Sequence, residues 1–362
     1  METKIKKVLI ISNMFPSRKD PTYGTFVNQF YENAKLHLAE VKVDLCVINC
    51  RYKGFFKILS YIWFYLRQVC LILLGKYDLL YIHYITHSSV PLILLSKFIS
   101  SKLAFNIHGG DLIARGRSSE ILFDNIVPLL RKAKIIVVPS LFFKDVLIKK
   151  VPLIDQNKVF VSPSGGVPES FYRENYNKMH TGLIRLGFVS RIDKGKGWDI
   201  LLKAVSNLRK EGICVDVKIA GIGNEVPLLE KYIEELNLCE CVTYLGAIAH
   251  NDLPGFYSSL DLFVFPTTLC ESLGLVGIEA MASAVPVIGS KIGGLLTYIQ
   301  DGSNGYLFRP GNVDELADKI QEWNNLPKKE KKNMSLNAYK TALLYRSDVV
   351  EVQLFNRLKQ II

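Results

Sequence analysis

The 362-residue sequence predicts an α/β protein built from two doubly wound domains. Short apolar runs rich in Val, Ile and Leu recur along the chain without alternating with polar residues, which is typical of parallel strands covered on both faces. Helical stretches separate them, such as Ile200–Lys210, Val226–Leu236 and Val313–Glu322. A segment rich in Gly, Pro, Ser and Asn, residues 162–182, divides the runs into two series. Two such series predict two Rossmann-like domains facing a cleft.

Each series contains six predicted strands. The first series comprises Val8–Ser12, Val43–Ile48, Leu79–His83, Leu103–Ile107, Ile135–Pro139 and Val159–Val161. The second comprises Ile184–Val189, Asp216–Ala220, Val242–Leu245, Leu262–Phe265, Val285–Gly289 and Gly305–Phe308. We therefore expect an N-terminal domain over 1–165, a linker over 166–182 and a C-terminal domain over 183–338. A last helix within 339–362, roughly Tyr339–Leu358, is expected to return to the first domain.

Composition restricts the class of protein. Hydrophobic residues make up 49% and charged residues 22% of the chain, as in folded proteins. The seven cysteines form no CxxC pair and no His cluster accompanies them, so we expect reduced thiols in a cytoplasmic protein and no metal site. A net charge of +11 favours an anionic neighbour: a lipid surface or a diphosphate substrate ahead of nucleic acid.

The segment Gly54–Leu74 is nearly long enough to span a membrane. Lys57, Arg67 and Gln68 interrupt it, and charge near the centre of a bilayer is costly. Aromatic residues mixed with flanking cations favour a helix lying on a membrane surface. A buried helix of the first domain, with the aromatic residues in its core, is an equal alternative.

The strongest chemical signal lies in FPTTLCESLGLVGIEAMA, residues 265–282. A strand ends, a loop carries Glu271, and a helix begins near Gly274. The backbone N–H groups of Gly274, Leu275 and Val276 then form a positive helix end suited to a phosphate. Glu279 lies about 6 Å further along that helix and can accept hydrogen bonds from sugar or ribose hydroxyls. The pattern indicates a sugar-nucleotide site.

A second signal lies in LGFVSRIDKGKGWD, residues 186–199. A strand is followed by Arg191 and, after a glycine-bearing turn, by Lys196. Two cations at the carboxyl end of a strand can neutralise a diphosphate leaving group. They would do the work of a divalent metal, for which no carboxylate pair of the DxD type is present. We interpret Lys194 as a surface residue.

Two segments of the first domain carry further candidates. In FNIHGGDL, His108 and Asp111 follow a strand, and two glycines permit close approach of the backbone. His108 is positioned to contact a sugar hydroxyl or to orient an acceptor. In PTYGTF, Gly24 can bring backbone against phosphate at the start of a helix. His83 and His87 are interpreted as structural or rim residues.

These segments together resemble family 4 of the retaining glycosyltransferases, which have the two-Rossmann GT-B fold and include group 1 transferases of polysaccharide biosynthesis. The Glu-x7-Glu signature corresponds to Glu271 and Glu279, and the basic pair to Arg191 and Lys196. The stretch YLGAIAHNDLPGFYSSLDLFVFPT is similar to the base-binding region, placing the base near Gly246–Ile248. HGGD resembles the histidine motif of the first domain, so His108 corresponds to its active-site histidine. Thr297 stands where the family often has Glu.

The resemblance implies a metal-independent transfer with retention at the anomeric carbon. Arg191 and Lys196 would hold the diphosphate of a UDP- or GDP-sugar, assisted by the N–H groups of Leu275 and Val276. Glu279 would hold the ribose and Glu271 the transferred sugar. Gly246 and Ile248 would contact the base, and the leaving phosphate would accept the proton of the acceptor. The nucleotide sugar is a substrate, so no cofactor is expected.

The alternatives to this function are a GT-B-like sugar-nucleotide epimerase and a non-catalytic basic protein that binds membrane or nucleic acid. A nicotinamide dehydrogenase is disfavoured because no GxGxxG follows the first strand. The basic first domain and its aromatic segment suggest a lipid-linked glycan acceptor in bacterial surface polysaccharide synthesis, such as lipopolysaccharide. The protein would then lie on the inner face of the cell membrane as a peripheral protein and bind no nucleic acid.

Overall fold

The predicted strands form two parallel sheets of six strands each. The structure is a computed structural model that describes residues 5–99, 102–113, 116–174, 176 and 182–362. The chain divides into two units: the N-terminal unit contains residues up to Gly165 together with Asp348–Ile362, and the C-terminal unit contains Gly166–Ser347. Each sheet is all-parallel with helices between successive strands, so the predicted α/β class is confirmed.

The sheet of the N-terminal unit has the strand order β2-β1-β3-β4-β5-β6. Its strands are β1 (Lys6–Ser12), β2 (Val41–Val47), β3 (Leu79–His83), β4 (Leu103–Asn106), β5 (Ile135–Val138) and β6 (Val159–Val161). β3 and β5 are buried along their whole length, as expected of strands covered on both faces. Every pairing is parallel, so the carboxyl ends of all six strands lie at one edge.

Helices connect these strands. They are α1 (Thr25–His37), α2 (Gly54–Leu74), α3 (Ile85–Ser88), α4 (Val90–Leu94), α5 (Ser96–Ile99), α6 (Gly109–Leu112), α7 (Arg117–Lys132) and α8 (Leu141–Lys150), with a 3-10 turn at Gln156–Lys158. Lys7 Nα donates to Asp78 Oδ2 at 2.9 Å, which fixes the entry to β3 beside β1. Predicted strand ends differ from the observed ones by two residues or fewer.

The sheet of the C-terminal unit has the order β12-β11-β10-β7-β8-β9. Its strands are β7 (Ile184–Val189), β8 (Val215–Ala220), β9 (Val242–Tyr244), β10 (Leu262–Phe265), β11 (Val287–Ser290) and β12 (Gly305–Phe308). The strand order reverses between β7 and β10, which lie side by side although they are far apart in sequence. In open parallel sheets, ligands bind outside the carboxyl ends of the strands at this kind of reversal.

The helices of this unit pack on both faces of the sheet. They are α9 (Trp198–Lys210), α10 (Val226–Glu235), α11 (Leu253–Ser258), α12 (Leu275–Ala282), α13 (Val313–Asn325) and α14 (Lys328–Leu343), with 3-10 turns at Glu169–Phe171, His250–Asp252 and Gly293–Thr297. One apolar cluster includes Trp198, Leu201 and Trp323. Another includes Phe263, Met281 and Tyr298.

The C-terminal end of the chain forms two helices, where the sequence analysis expected one helix from about Tyr339. Tyr339 lies inside α14, which ends at Leu343, and a new helix, α15, spans Ser347–Lys359. The chain is held between them because Val167 Nα donates to Tyr345 O and Ser347 Nα donates to Val167 O. The apolar face of α15 then packs with β1 in the core of the N-terminal unit.

The first part of the predicted linker over 166–182 is packed into the C-terminal unit. Phe171 is fully buried in the core of the C-terminal unit, and Ser283 Oγ donates to Phe171 O at 3.0 Å. The first part of the segment therefore belongs to that unit. Residues 175 and 177–181 of the predicted linker lie outside the described residues.

The helix α2 resolves the alternative left open for residues 54–74. Among its residues, only Phe64 and Gln68 are buried, whereas Phe55, Phe56 and Trp63 are each about 70% exposed. Apart from Phe64, the interpretation that the aromatic residues of this helix form part of a core is therefore wrong. By length and composition, α2 is the one helix among the described residues that is long and apolar enough to cross a membrane.

Candidate active site

Lys196 and Glu271 form an ion pair at the carboxyl edge of the second sheet. Lys196 Nζ lies 2.8 Å from Glu271 Oε1, and the two side chains are 14% and 18% exposed. Thr267 Oγ1 donates to the same oxygen at 3.1 Å. None of the described residues donates to Glu271 Oε2. This pair therefore offers a ligand one carboxylate oxygen and the remaining N–H donors of an ammonium group.

The two residues meet because their strands are neighbours. Lys196 follows β7 and Glu271 follows β10, and parallel strands bring their carboxyl ends to the same edge. The two loops are also bonded to each other, since Thr268 Nα donates to Gly195 O at 2.8 Å. A side chain at Gly197 would collide with the carbonyl oxygen of Pro266, so this close packing of the loops requires glycine.

The start of α12 is fixed by Gly274. Gly274 has φ +80°, and a Cβ there would lie 2.7 Å from the Phe265 ring. Tyr298 Oη donates to Gly274 O at 3.1 Å. The first N–H groups of the helix, at Leu275 and Val276, have no carbonyl partner within the helix and carry its positive end. The strand, loop and helix arrangement expected around Glu271 is thus present.

Glu279 is almost fully buried, at 7% exposure, on α12. Tyr257 Oη donates to Glu279 Oε2 at 3.0 Å, and His250 Nε2 lies 3.8 Å from Oε1. The neighbouring carboxylate of Glu279 raises the pKa of His250, whereas burial raises the pKa of Tyr257 well above its ordinary value. Neither partner was selected from the sequence, because 22 and 29 positions separate them from Glu279.

Arg191 lies in the same loop as Lys196 but is exposed to solvent. Its side chain is 71% exposed, and Nη1 lies 2.9 Å from Asp193 Oδ2. Asp193 in turn accepts a hydrogen bond from Asn224 Nα at 2.9 Å, which fixes the loop. Exposed ion pairs contribute little free energy, so the guanidinium can turn toward an incoming anion at small cost. No feature of the sequence had indicated Asp193 as part of the site.

Gly246 and Ile248 lie in the loop that follows β9. Gly221 Nα donates to Gly246 O at 2.7 Å, and Tyr244 Oη donates to Gly221 O at 2.8 Å. Gly246 has φ +66°, a conformation that favours glycine. Ile248 is partly buried against the apolar cluster that contains Phe171. The backbone here is held in place, and its contact with a nucleotide base stays a prediction.

In the N-terminal unit, Gly24 immediately precedes α1. It has φ +77°, and a Cβ there would lie 2.8 Å from the backbone carbon of Met14. Val27 Nα donates to Gly24 O at 3.0 Å, which begins the helix. Glycine is therefore required by the close approach of two backbone segments. A phosphate contact at this position stays a prediction.

His108 follows β4 and stacks on two aromatic rings. Its Nε2 lies 3.2 Å from Nδ1 of the buried His83, and the His108 ring centroid is 4.5 Å from that of Tyr84. Burial lowers the pKa of His108 to about 4, so the ring is neutral near pH 7. The structure therefore gives His83 a definite partner that the sequence analysis did not foresee.

Asp111 supports the His108 segment. Its Oδ2 accepts a hydrogen bond from His108 Nα at 2.9 Å, and Thr86 Oγ1 donates to Oδ1 at 3.3 Å. Burial raises the pKa of Asp111 to about 6. Asp111 also lines a cavity of about 390 Å³ together with Asn13 and Tyr84, two residues that carry no sequence motif.

The described part of the chain contains no cluster of metal-binding side chains. Within it, no three His, Cys, Asp or Glu side chains lie together as the ligands of an ion would. The metal-independence expected from the resemblance stays a prediction.

Comparison of the sequence with known families supports a family for the C-terminal unit. Residues 173–341 match the model described as "Glycosyl transferases group 1". The chain is 34% identical over 143 residues to a D-inositol 3-phosphate glycosyltransferase of Corynebacterium jeikeium, and 32% identical over 134 residues to an alpha-D-kanosaminyltransferase of Streptomyces kanamyceticus. Each match covers 37% of this chain and 34% of the relative. The matched region thus spans about a third of these curated relatives.

Comparison with solved structures covers the whole chain. Sucrose-phosphate synthase from Thermosynechococcus elongatus superposes with a TM-score of 0.77 at 18% identity, covering 98% of this chain and 99% of that one. Anabaena HepE in complex with UDP-glucose gives a TM-score of 0.71 at 21% identity, covering 98% and 99%. At these identities the likeness establishes the fold, and the GT-B fold expected from the sequence is confirmed.

Proposed function

We propose that this protein, whose C-terminal unit belongs to the group 1 glycosyl transferases, transfers a sugar from a nucleotide diphosphate donor to a lipid-linked glycan. The observation that carries the proposal is the Lys196–Glu271 ion pair beside the start of α12. It brings a cation, a carboxylate and a positive helix end to one sheet edge. A sugar diphosphate presents the matching groups, namely hydroxyls and negative charge.

The first task of such a site is to stabilise the leaving diphosphate. As the bond from the anomeric carbon to the phosphate oxygen breaks, negative charge grows on that oxygen. Lys196, Arg191 and the first N–H groups of α12 would oppose this charge. Lys196 is held ready by Glu271 and is little exposed, so water screens its charge weakly. Anabaena HepE, which shares this fold, is in complex with UDP-glucose, and this supports a nucleotide sugar as donor.

The second task is to orient the donor. Glu271 Oε1 is occupied by Lys196 and Thr267, so Oε2 would accept a hydrogen bond from a hydroxyl of the transferred sugar. Glu279 is fixed on one side by Tyr257, so its Oε1 would accept from a ribose hydroxyl near His250. The loop carrying Gly246 and Ile248 would contact the base through its backbone.

The third task is transfer with retention. The acceptor hydroxyl would attack the anomeric carbon from the same face that the diphosphate leaves. The departing phosphate oxygen would take the proton of that hydroxyl. No side-chain nucleophile is then required, and neither is a metal, because protein cations neutralise the leaving group. His108 is neutral near pH 7 and would orient the sugar or the acceptor by hydrogen bonding.

The proposal also covers the identity of the acceptor and the location of the protein in the cell. The exposed apolar surface of α2 and the net charge of +11 support binding to an anionic membrane. We infer a peripheral protein on the inner face of the cell membrane, acting in synthesis of a surface polysaccharide such as lipopolysaccharide. Flotation with phosphatidylglycerol vesicles tests this location; a protein that stays entirely in the soluble fraction at low salt contradicts it.

A transfer assay tests the reaction itself. The protein is incubated with a panel of UDP- and GDP-sugars and a lipid-linked oligosaccharide fraction, with and without EDTA, and the product is identified by mass spectrometry. NMR of the new linkage then reports its anomeric configuration. We expect a product whose anomeric configuration matches the donor and whose yield is unaffected by EDTA. An inverted linkage contradicts the mechanism, and epimerised donor without transfer contradicts the function.

A further inference from the structure

The outer surface of α2 is apolar, and the rest of the N-terminal unit does not cover it. Phe56, Leu59 and Trp63 are 69%, 43% and 70% exposed, and their spacing of three and four places them along one side of the helix. Contiguous apolar surface of this kind on a folded protein marks an interaction site. Because the three side chains form a stripe at the edge of the helix, a ligand can lie between them and the neighbouring strand.

Hydrogen bonds from side chains of α2 also fasten the helix to the N-terminal unit. Tyr61 Oη accepts a hydrogen bond from Asn13 Nδ2 at 3.0 Å, Tyr65 Oη donates to His87 O at 3.0 Å, and Arg67 Nη2 donates to Leu45 O at 3.2 Å. Phe64 is buried beneath the helix. A helix attached in this way to a water-soluble sheet cannot be surrounded by lipid. It would therefore lie in the plane of a membrane surface, with only its outer side in contact with lipid.

A groove of about 300 Å³ runs between this stripe and the end of β2. Val47, Ile48 and Tyr52 line it from β2 and the loop that follows, and Phe56, Leu59, Trp63 and the cation Arg67 line it from α2. The lining is mainly apolar, and the volume is at the lower end of what ligand sites usually have. A single hydrocarbon chain suits such a groove, because it gains apolar burial and offers no polar group that needs a partner.

The groove continues into the cavity of about 390 Å³ beside Asp111. Ile48, Tyr52 and Ser60 line both spaces, so they adjoin each other. Lys57 and Arg51 also line the second cavity. Arg51 lies 3.5 Å from Asp20, while Lys57 forms no ion pair with any residue that the structure describes. The junction thus presents a cation directly beyond the apolar groove.

A hydrogen-bond acceptor lies further along the same cavity. Asn13 is 7% exposed, and its Oδ1 has no partner among the described residues, although Nδ2 is bonded to Tyr61. A buried carbonyl oxygen without a donor is costly, and a ligand hydroxyl would satisfy it. Along the surface, an apolar groove is therefore followed by a cation and then by a buried hydrogen-bond acceptor.

We propose that this groove and cavity bind the lipid chain and the phosphate of the acceptor, so that the enzyme recognises the carrier lipid as well as its sugar. The chain would lie along Leu59 and Trp63, the phosphate beside Lys57, and a sugar hydroxyl at Asn13 Oδ1. The order of these groups matches a hydrocarbon chain, a phosphate and a sugar joined in one molecule. The proposal rests on the proposed function in one respect only, that the sugar head is the group glycosylated.

Vesicle flotation tests the proposal without requiring catalysis. The full chain is mixed with phosphatidylcholine vesicles containing either a long-chain polyprenyl monophosphate or, at matched negative charge, phosphatidylglycerol. We expect binding to be tighter to the polyprenyl phosphate vesicles by about tenfold or more. Equal binding to both vesicles overturns the proposal, because it means that α2 recognises only a charged surface.

Two paired variants separate the groove from the general membrane surface. Leu59→Ala with Trp63→Ala removes groove side chains, whereas Ile62→Ala with Leu66→Ala removes comparably exposed side chains of α2 that do not line it. The first pair should abolish the preference for polyprenyl phosphate. The control pair should weaken binding to both vesicles and preserve the preference. Retention of the preference by the groove pair overturns the proposal.

Nucleotide binding provides the independent readout. The donor site lies in the C-terminal unit, so thermal stabilisation by UDP or GDP should be unchanged in both paired variants, which also verifies that they fold. If the unaltered protein binds polyprenyl phosphate selectively but neither UDP nor GDP raises its melting temperature, the lipid site is supported and the proposed function is contradicted. If UDP or GDP raises the melting temperature of the unaltered protein but the protein does not prefer polyprenyl phosphate vesicles, the lipid site alone is overturned.

Discussion

Lys196 Nζ lies 2.8 Å from Glu271 Oε1, although 75 positions separate the two residues. In the proposed reaction, the pair places the cation that would oppose the leaving diphosphate beside the carboxylate that would hold the sugar. Each residue keeps the other in place, since both side chains are more than four-fifths buried. Because Lys196 is expected to contact the diphosphate and Glu271 the sugar, their separate removal should affect different steps of the reaction.

Glu271→Ala should abolish transfer while leaving nucleotide diphosphate binding nearly unchanged. The carboxylate would contact the sugar and not the nucleotide, and loss of one such transition-state contact lowers kcat by about 10²–10³-fold. Steady-state kinetics and calorimetric titration with the nucleotide measure the two effects. Glu240→Ala is the control, since Glu240 is exposed and forms an ion pair with Arg209. Full transfer activity in Glu271→Ala would refute the assignment.

Lys196→Ala and Arg191→Ala should each weaken nucleotide diphosphate binding directly. Hydrogen bonds to charged groups contribute about 1.5–3 kcal/mol, which corresponds to roughly 10–100-fold in Kd. Lys203→Ala serves as control, because Lys203 forms an exposed ion pair with Asp199 on α9. Calorimetric titration gives Kd for each variant. Unchanged Kd in Lys196→Ala would show that the diphosphate binds elsewhere.

Gly274→Ala should destabilise the protein more than Gly212→Ala. Both glycines have φ +80°, so each substitution carries the backbone penalty of about 1–2 kcal/mol. A Cβ at Gly274 would also press on Phe265, whereas nothing lies within 4 Å of one at Gly212. Urea unfolding gives the difference in free energy of unfolding. Equal losses in the two variants would contradict the tight packing at the start of α12.

Although the raised pKa of Asp111 opposes the change, His108 should lower the stability of the protein as the pH drops from about 6.5 toward 4. Burial lowers its folded pKa to about 4 from an ordinary 6.5, so the unfolded chain takes up a proton in this range and the folded one does not. The loss attributable to His108 is at most about 3 kcal/mol. Urea unfolding across this range should show a shallower decline in His108→Gln. The pKa of His83 is also lowered, so His83 should cause part of the decline in the free energy of unfolding that remains in His108→Gln.

The sequence predicted the sheets well because their strands are buried on both faces. A strand such as Ile135–Val138, fully buried, has to be a continuous apolar run, and such runs are visible without a structure. The loop glycines at 197 and 274 were also visible in the sequence, and a Cβ would meet the Pro266 carbonyl oxygen at the first and the Phe265 ring at the second. Local chemistry therefore indicated the strand, loop and helix around Glu271.

The sequence did not predict partners that are distant along the chain. Nothing in the local pattern links Glu279 to Tyr257, or His83 to His108, because these contacts depend on how neighbouring elements pack. The orientation of α2 was equally hidden, since an apolar 21-residue helix is compatible with a core or a surface. The break between α14 and α15 arises from hydrogen bonds to Val167, far away in sequence.

We infer that the C-terminal unit binds a nucleotide diphosphate without a metal. The most direct test of this inference is the melting temperature of the full chain with UDP, GDP, ADP and CDP, each with and without EDTA, because a ligand that binds only the folded state raises it. We expect UDP or GDP to raise the melting temperature equally with and without EDTA, and Lys196→Ala to lose most of this increase. No increase with any of the four nucleotides, or an increase that EDTA removes, would contradict this inference.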